Sequence, residues 1–305
     1  MATTGGFKDI YQEVTDAVIE QMEKGNLVWR CGWRDSALPS NVTTGIGYRG
    51  WNVFWLNFHT MIKGYATPQY LTFKQALDLG GNIRKGEKGV KIIYWATIQM
   101  KQVNQEGHLE DNEDESGSRQ RMVPKVYTVF NIAQAEGIEF PPRVANRPTA
   151  AEKLTACEEL IDHMPERPVI ETDGKFPVYY PVRDTVSVPG ITSFVSAEEY
   201  YAALFHELAH STGHASRLGR KEITEPAAYG SEPYSREELT AELTAAFLCA
   251  LTGIGQQTIA NSAAYLHGWL GALKNDKTLL IKAAGQAQKA ADYIRNIGAE
   301  LAHVA

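Results

Sequence analysis

Residues 206–214 read HELAHSTGH, three histidines and a glutamate within nine positions. The preceding SAEEYYAALF (196–205) places this segment well inside a helix, so His206 and His210, four apart, share one face and both imidazoles can reach one ion. Glu207 then sits beside that ion, placed to take a proton from water activated there. HExxH also arises by chance, and the competing reading is two histidines on a helix surface beside a solvated carboxylate. The neighbourhood decides between them, because zinc needs a third protein ligand.

Two arrangements supply one. HExxHxxGxxH would need histidine at 216, where this chain has Ser216. His214 lies four residues beyond His210, one turn further along, and reads as a wall or structural residue. The other arrangement takes a glutamate from a later helix, often with a second acid four residues on. SREELTAELTAAFLCALTG (235–253) fits it, with Ser235 read as N-cap and Glu238 at N3 in a capping box. Glu238, Ala241, Glu242 and Ala245 share a face, and two acids among alanines suit close packing against a metal centre. An exposed acidic first turn favoured by the helix dipole would account for Glu237 and Glu238, but poorly for Glu242. The expected ligands are therefore His206, His210 and Glu238, with Glu207 as general base and Glu242 orienting a histidine N–H. On this pattern Glu238 and Glu242 could exchange roles. Zinc is the expected ion, manganese the alternative. In YGSEPYSRE (229–237), Tyr229 or Tyr234 could stabilise an oxyanion. SVPGITSF (187–194) could offer an edge strand to a peptide.

The first half has a different chemistry. Between Lys24 and Lys101 there are eleven basic residues against three acids, with five of the six tryptophans. Bases of a single strand stack on aromatic faces while Lys and Arg follow the phosphates, which gives sequence-tolerant binding. Arg30, Arg49, Arg84, Lys85 and Lys88 are the expected phosphate contacts. Trp33, Tyr48 and Trp95 are the stacking candidates, whereas Trp51, Phe54, Trp55 and Phe58 have helical spacing and read as core. GNIRKGEKG (81–89) lacks the GK[ST] ending of a Walker A loop, but its glycines let backbone N–H groups approach phosphate. A solvated basic face is the plain alternative.

At 305 residues the chain suggests two domains. An apolar stripe over residues 8–23 predicts a helix, WNVFWLNFHTMIKG (51–64) a second and TFKQALDLGG (72–81) a third. VKIIYWATIQM (90–100) and PKVYTVFNI (124–132) are strand-like and flank an acidic stretch (106–120) read as a solvated loop. FPPRVANRPT (140–149) has the proline content of a linker. The second half predicts a helix at 150–163, extended segments at 168–174 and 177–190, and helices around 196–215, 235–252, 258–273 and 275–300. The expected class is α+β: an N-terminal α+β domain over 1–140, a linker at 141–149, and a mainly helical domain with a small sheet over 150–305. Three widely spaced cysteines, no apolar leader and no spanning run point to a cytoplasmic chain without a disulfide framework.

DIYQEVTD, TGIGYRGWN, LTFKQALDLGG, IRKGEKG and YTVFNIAQAEG, followed by YYAALFHELAHSTGH and SEPYSREELTAELTAAFL, resemble the ArdC antirestriction family of conjugative plasmids over nearly the whole chain. The first half is also similar to the N-terminal region of plasmid TraC-type primases. The resemblance implies a single-stranded-DNA-binding domain ahead of a zincin-like metallopeptidase domain, and protection of incoming plasmid DNA from host restriction. A host protein, such as a restriction subunit, would be the peptidase substrate. The other readings are a non-catalytic DNA coat with a structural metal, and an accessory module of plasmid replication or priming.

Overall fold

A computed structural model of the protein describes residues 5–24, 38–100, 119–140, 149–225, 228, 231–254 and 262–297. The expected stripe forms α1 (Gly5–Glu23), with Val14, Val18 and Met22 buried. After β1 (Ser40–Asn41), the chain passes Gly50 at φ 54°, a left-handed conformation suited to glycine, and enters α2 (Trp51–Ile62). Trp51, Phe54, Trp55 and Phe58 are buried there as core, their rings in contact along the helix. β2 (Gln69–Thr72) leads into α3 (Phe73–Asp78), capped by Thr72 and Gln75 in a reciprocal box. β3 (Asn82–Ile83) is followed by the long hairpin of β4 (Val90–Met100) and β5 (Arg119–Asn131), then β6 (Ala135–Glu136). The sheet runs β1-β2-β5-β4, with only β1 and β2 parallel, while β3 pairs with β6. The acidic stretch expected as a loop lies outside the described residues, apart from its last two positions in β5.

The second half opens with α4 (Ala150–Asp162), where Thr149 and Glu152 form the capping box. A three-stranded sheet follows, from β7 (Val169–Glu171), β8 (Val178–Tyr180) and β9 (Thr185–Ser187), in the order β7-β9-β8. This corrects the candidate edge strand. Residues 185–187 form the central strand, Ile191–Ser193 is a 3-10 turn, and the free edges belong to β7 and β8.

Next come α5 (Ala197–Ser211), α6 (Lys221–Thr224), α7 (Glu232–Thr252), α8 (Ser262–Asn275) and α9 (Leu279–Ile294). α7 starts earlier than expected. Its N-cap is Ser231, whose hydroxyl accepts from the Tyr234 N–H, and Pro233 sits in the first turn, where its missing N–H costs nothing. Ser235 and Glu238 are therefore interior positions rather than N-cap and N3. Gly253, at φ 73°, closes the helix in the left-handed conformation.

α7 is buried on nearly all sides, which its alanines permit. Ala245 and Ala246 lie in the same core as Ala283, Ala284 and Ala287 of α9, and small side chains allow close approach of the two axes. One continuous core joins the halves, running from Val14, Val18 and Trp51 through Phe205 and Leu243 to Trp269 and Leu280. Polar contacts reinforce it. Arg49 pairs with Asp292, Gln288 accepts from the Gly50 N–H at 2.8 Å, and the Thr15 hydroxyl donates to the Lys277 carbonyl at 3.1 Å. No described helix is long and apolar enough to cross a membrane.

Candidate metal centre

Ser196 caps α5 by accepting from the Glu199 N–H, and the helix then runs inward so that every residue from Tyr200 to Ser211 is buried. Burial on all sides excludes the surface-histidine reading: His206, Glu207 and His210 are each less than a tenth exposed. The Nε2 atoms of His206 and His210 face each other at 3.0 Å. Glu238 reaches in from α7, with Oε2 at 3.6 Å from His206 Nε2 and Oε1 at 3.6 Å from His210 Nε2. One ligand atom from each of these three residues lies within 4.8 Å of the others. Two imidazole nitrogens and a carboxylate oxygen are the donor set of a divalent transition metal. Four carboxylates (Glu207, Glu237, Glu238 and Glu242) and the guanidinium of Arg220 surround the pair, an acidic excess that suits a cation.

The protonation balance carries the same sign. Burial pushes the Glu238 carboxyl up, but its hydrogen bond to His206 and the charges of both histidines outweigh that and hold it at about 2. Burial works against the His206 proton, yet Glu238, Glu242 and Glu207 together raise it to about 9. The site thus favours positive charge between the two helices.

Glu207 and Tyr234 line a cavity of about 620 Å³ together with the two histidines, Glu238 and Glu242. Tyr234 also hydrogen-bonds Glu238. Phe176, Pro177, Val178 and Tyr179, in and just before β8, form the opposite wall, so an edge strand does flank the site, though not the expected one. Tyr229 lies outside the described residues. His214, half-buried beyond the end of α5, has its Nδ1 engaged by Ser216 and is not among the residues lining the cavity described next to the cluster.

Sequence reasoning gave Glu237 no role in the site. It is 4% exposed rather than solvated, and it accepts from His210 Nδ1 at 3.1 Å and from both Nε and Nη2 of Arg220. Glu242, expected to orient a histidine, stands 4.0 Å from His206 Nδ1, an atom without a hydrogen-bond partner. The loop between α5 and α6 is pinned twice. Arg217 holds Asp184 and Tyr179 on the β-sheet side, and Arg220 holds Glu237 on the α7 side.

Residues 155–286 match a family described as a zincin-like metallopeptidase, and residues 8–130 match the N-terminal domain of anti-restriction factor ArdC. The crystal structure of the antirestriction ArdC protein from the R388 plasmid superposes with a TM-score of 0.73 at 36% identity, covering 94% of this chain and 97% of that one. The chain belongs to the ArdC antirestriction family. The R388 protein is known in metal-free and Mn(II)-bound forms, which are equally similar. The uncharacterized protein y4eC of Sinorhizobium fredii (strain NBRC 101917 / NGR234) is 32% identical over 94% of this chain and 91% of its own length. Two Escherichia coli proteins named DNA primase TraC are 34% and 32% identical, but the chain spans only 27% and 20% of their lengths.

Within the ArdC-type N-terminal domain, the basic candidates separate by environment. Arg84, Lys85 and Lys88 sit exposed on the turn between β3 and β4, which Gln134 pins by donating to the Glu87 carboxylate and the Lys88 carbonyl. Arg84 also pairs with Glu87. Arg49 is paired with Asp292, and Tyr48 packs against the core with a buried hydroxyl whose pKa burial pushes up to about 12. Trp95 lies on β4 opposite Pro124. Arg30 and Trp33 lie outside the described residues. Tyr94 and Tyr127, which sequence reasoning did not single out, are exposed on the hairpin with their rings edge to face at 6.2 Å, and Tyr94 is opposite Lys125.

Proposed function

We propose that this chain is an antirestriction protein that holds single-stranded DNA of an incoming plasmid through its N-terminal half and carries a zinc-dependent peptidase centre in its C-terminal half. The observation that carries the enzymatic part is the convergence of His206, His210 and Glu238 in a cavity that Glu207 lines. The three residues would hold the ion, zinc by donor preference, with manganese taken by the same set. When bound, the ion supplies Lewis-acid polarisation of a carbonyl and acidifies water at the site.

The chain's own residues do the rest. Glu207 accepts the proton of the attacking water and returns it to the leaving amine. Tyr234, on the first turn of α7, would donate to the developing oxyanion. β8 would pair with an extended peptide through its free edge, placing a backbone carbonyl in the cavity. Glu242 would accept from His206 Nδ1 after a small side-chain rotation.

For DNA, the turn carrying Arg84, Lys85 and Lys88 would follow phosphates, and Tyr94 with Tyr127 would offer stacking faces on the β4–β5 hairpin that follows it. Tyr48 and Arg49 leave this role because both are engaged with the protein itself. The protein would act in the cytoplasm, where entering single strands meet restriction enzymes.

The test is transfer of an unmodified plasmid into a restricting host with wild type, Glu207→Ala, and the Arg84/Lys85/Lys88→Ala triple variant. Loss of protection in both variants supports the full reading. Protection retained by Glu207→Ala and lost by the triple variant would make the chain a DNA shield with a structural metal domain.

A further inference from the structure

The two histidines of the cluster are held differently. His206 Nδ1 is buried without a hydrogen-bond partner, whereas His210 Nδ1 meets Glu237 Oε1 at 3.1 Å. Glu237 is in turn gripped by Arg220, with Nε on Oε2 at 2.8 Å and Nη2 on Oε1 at 2.6 Å, a two-pronged pair whose side chains are 5% and 4% exposed. Arg220 is itself fixed to the end of α5. Its Nη1 donates to the Thr212 hydroxyl at 2.6 Å, and its Nη2 to the Ala209 carbonyl at 2.8 Å. The backbone makes room for this. A Cβ at Gly213 would lie 2.6 Å from Ile223 Cγ1 and 3.0 Å from Arg220 Nη2, so a side chain there would displace Ile223 and crowd the guanidinium.

We propose that Arg220 and Glu237 form a positioning pair that fixes His210 as the rigid ligand of the centre. The inference rests on reading the cluster as a metal site. With both oxygens of Glu237 taken by Arg220, the carboxylate has one orientation open to it, and its Oε1 accepts the Nδ1–H of His210. The ring is thereby held in the tautomer whose Nε2 lone pair faces His206 and Glu238. An acceptor at Nδ1 also makes the imidazole a stronger donor at Nε2. Stability alone gives little reason to bury such a pair, since well-packed apolar residues of similar volume serve as well or better. A ligand that must be aimed does give one. Arg220 comes from the loop that follows the histidine helix and Glu237 from α7, next to the ligand Glu238, so the pair also locks the two ligand-bearing helices in register.

The test is zinc affinity by chelator competition, together with the visible absorption of the cobalt(II)-loaded protein, on the full chain. The double variant Arg220→Met/Glu237→Leu replaces the buried pair by apolar side chains and removes the acceptor. It is expected to remain folded by circular dichroism, to bind zinc about 10–100-fold more weakly, and to show a shifted cobalt spectrum. Arg220→Met/Glu237→Gln keeps a carbonyl acceptor and should recover part of that affinity; it also serves as the folded variant should the leucine version not fold. Arg217→Met removes the other buried arginine of the same loop and should leave zinc affinity unchanged. Wild-type affinity and spectrum in the folded double variants, or an equal loss in Arg217→Met, would overturn the positioning role. A wild-type chain that takes up no zinc or cobalt would instead overturn the metal-centre reading itself.

Discussion

Replacing Arg84, Lys85 and Lys88 together by alanine should flatten the salt dependence of single-stranded DNA binding by an amount the structure sets. Each neutralised phosphate contributes about −0.7 to the slope of log K against log salt for a single strand. Lys85 and Lys88 stand exposed on the turn, and among the described residues no acid pairs with either. Arg84 already shares its charge with Glu87 at 2.8 Å, so its contribution is partial. The slope should therefore fall by about 1.4 if only the lysines count and by about 2.1 if Arg84 is recruited in full. Between 50 and 200 mM salt that is a difference of roughly 7- to 18-fold in how much affinity is lost. The assay is fluorescence anisotropy of a labelled oligothymidine titrated across that range. Arg49→Met is the internal control and should leave the slope unchanged, because Arg49 is spent on Asp292. An unaltered slope in the triple variant, or a reduced one in Arg49→Met, would move the DNA path off the β3–β4 turn.

Trp269→Ala should cost about 3–5 kcal/mol, and because Trp269 belongs to a core shared by α1, α2 and the C-terminal helices, urea unfolding should remain a single transition followed alike by tryptophan fluorescence and circular dichroism. Two separated transitions would mean that the halves fold independently. Glu238→Ala should weaken metal binding more than Glu242→Ala, whose loss should stay within about 10–100-fold; the reverse order in a chelator competition would exchange ligand and orienting group. Tyr94→Ala and Tyr127→Ala should each weaken DNA binding by about 1–3 kcal/mol with the salt slope intact, and unchanged affinity would remove the hairpin from the stacking surface.

The HExxH helix and the acidic face of α7 were legible because helical periodicity is local: His206 with His210, and Glu238 with Glu242, are each defined by spacing four. The aromatic face of α2 was legible for the same reason. Glu237 was not. A capping box at Ser235 placed it in an exposed first turn, whereas Ser231 with Pro233 starts the helix earlier and carries Glu237 into the core. The serine followed two residues on by proline was the available signal. Its partner Arg220 is seventeen residues away along the chain, and a buried charge can be recognised only once its partner is known. The surroundings of Arg49 and Tyr48 were not legible for a related reason. A basic residue beside an aromatic looks the same in sequence whether it faces solvent or the C-terminal helices, and Asp292 lies 243 positions away. The edge strand shifted from residues 187–194 to β8 because strand order within a sheet is a tertiary property.

Metal content per chain after identical purification of wild type, His206→Ala, His210→Ala and Glu207→Gln tests the centre most directly. Wild type and Glu207→Gln should each hold about one divalent ion, and the two histidine variants close to none, because the histidines bind and Glu207 moves a proton. A Glu207→Gln protein as empty as the histidine variants, or histidine variants that keep the ion, would contradict the assignment of His206, His210 and Glu238 as ligands with Glu207 as the base.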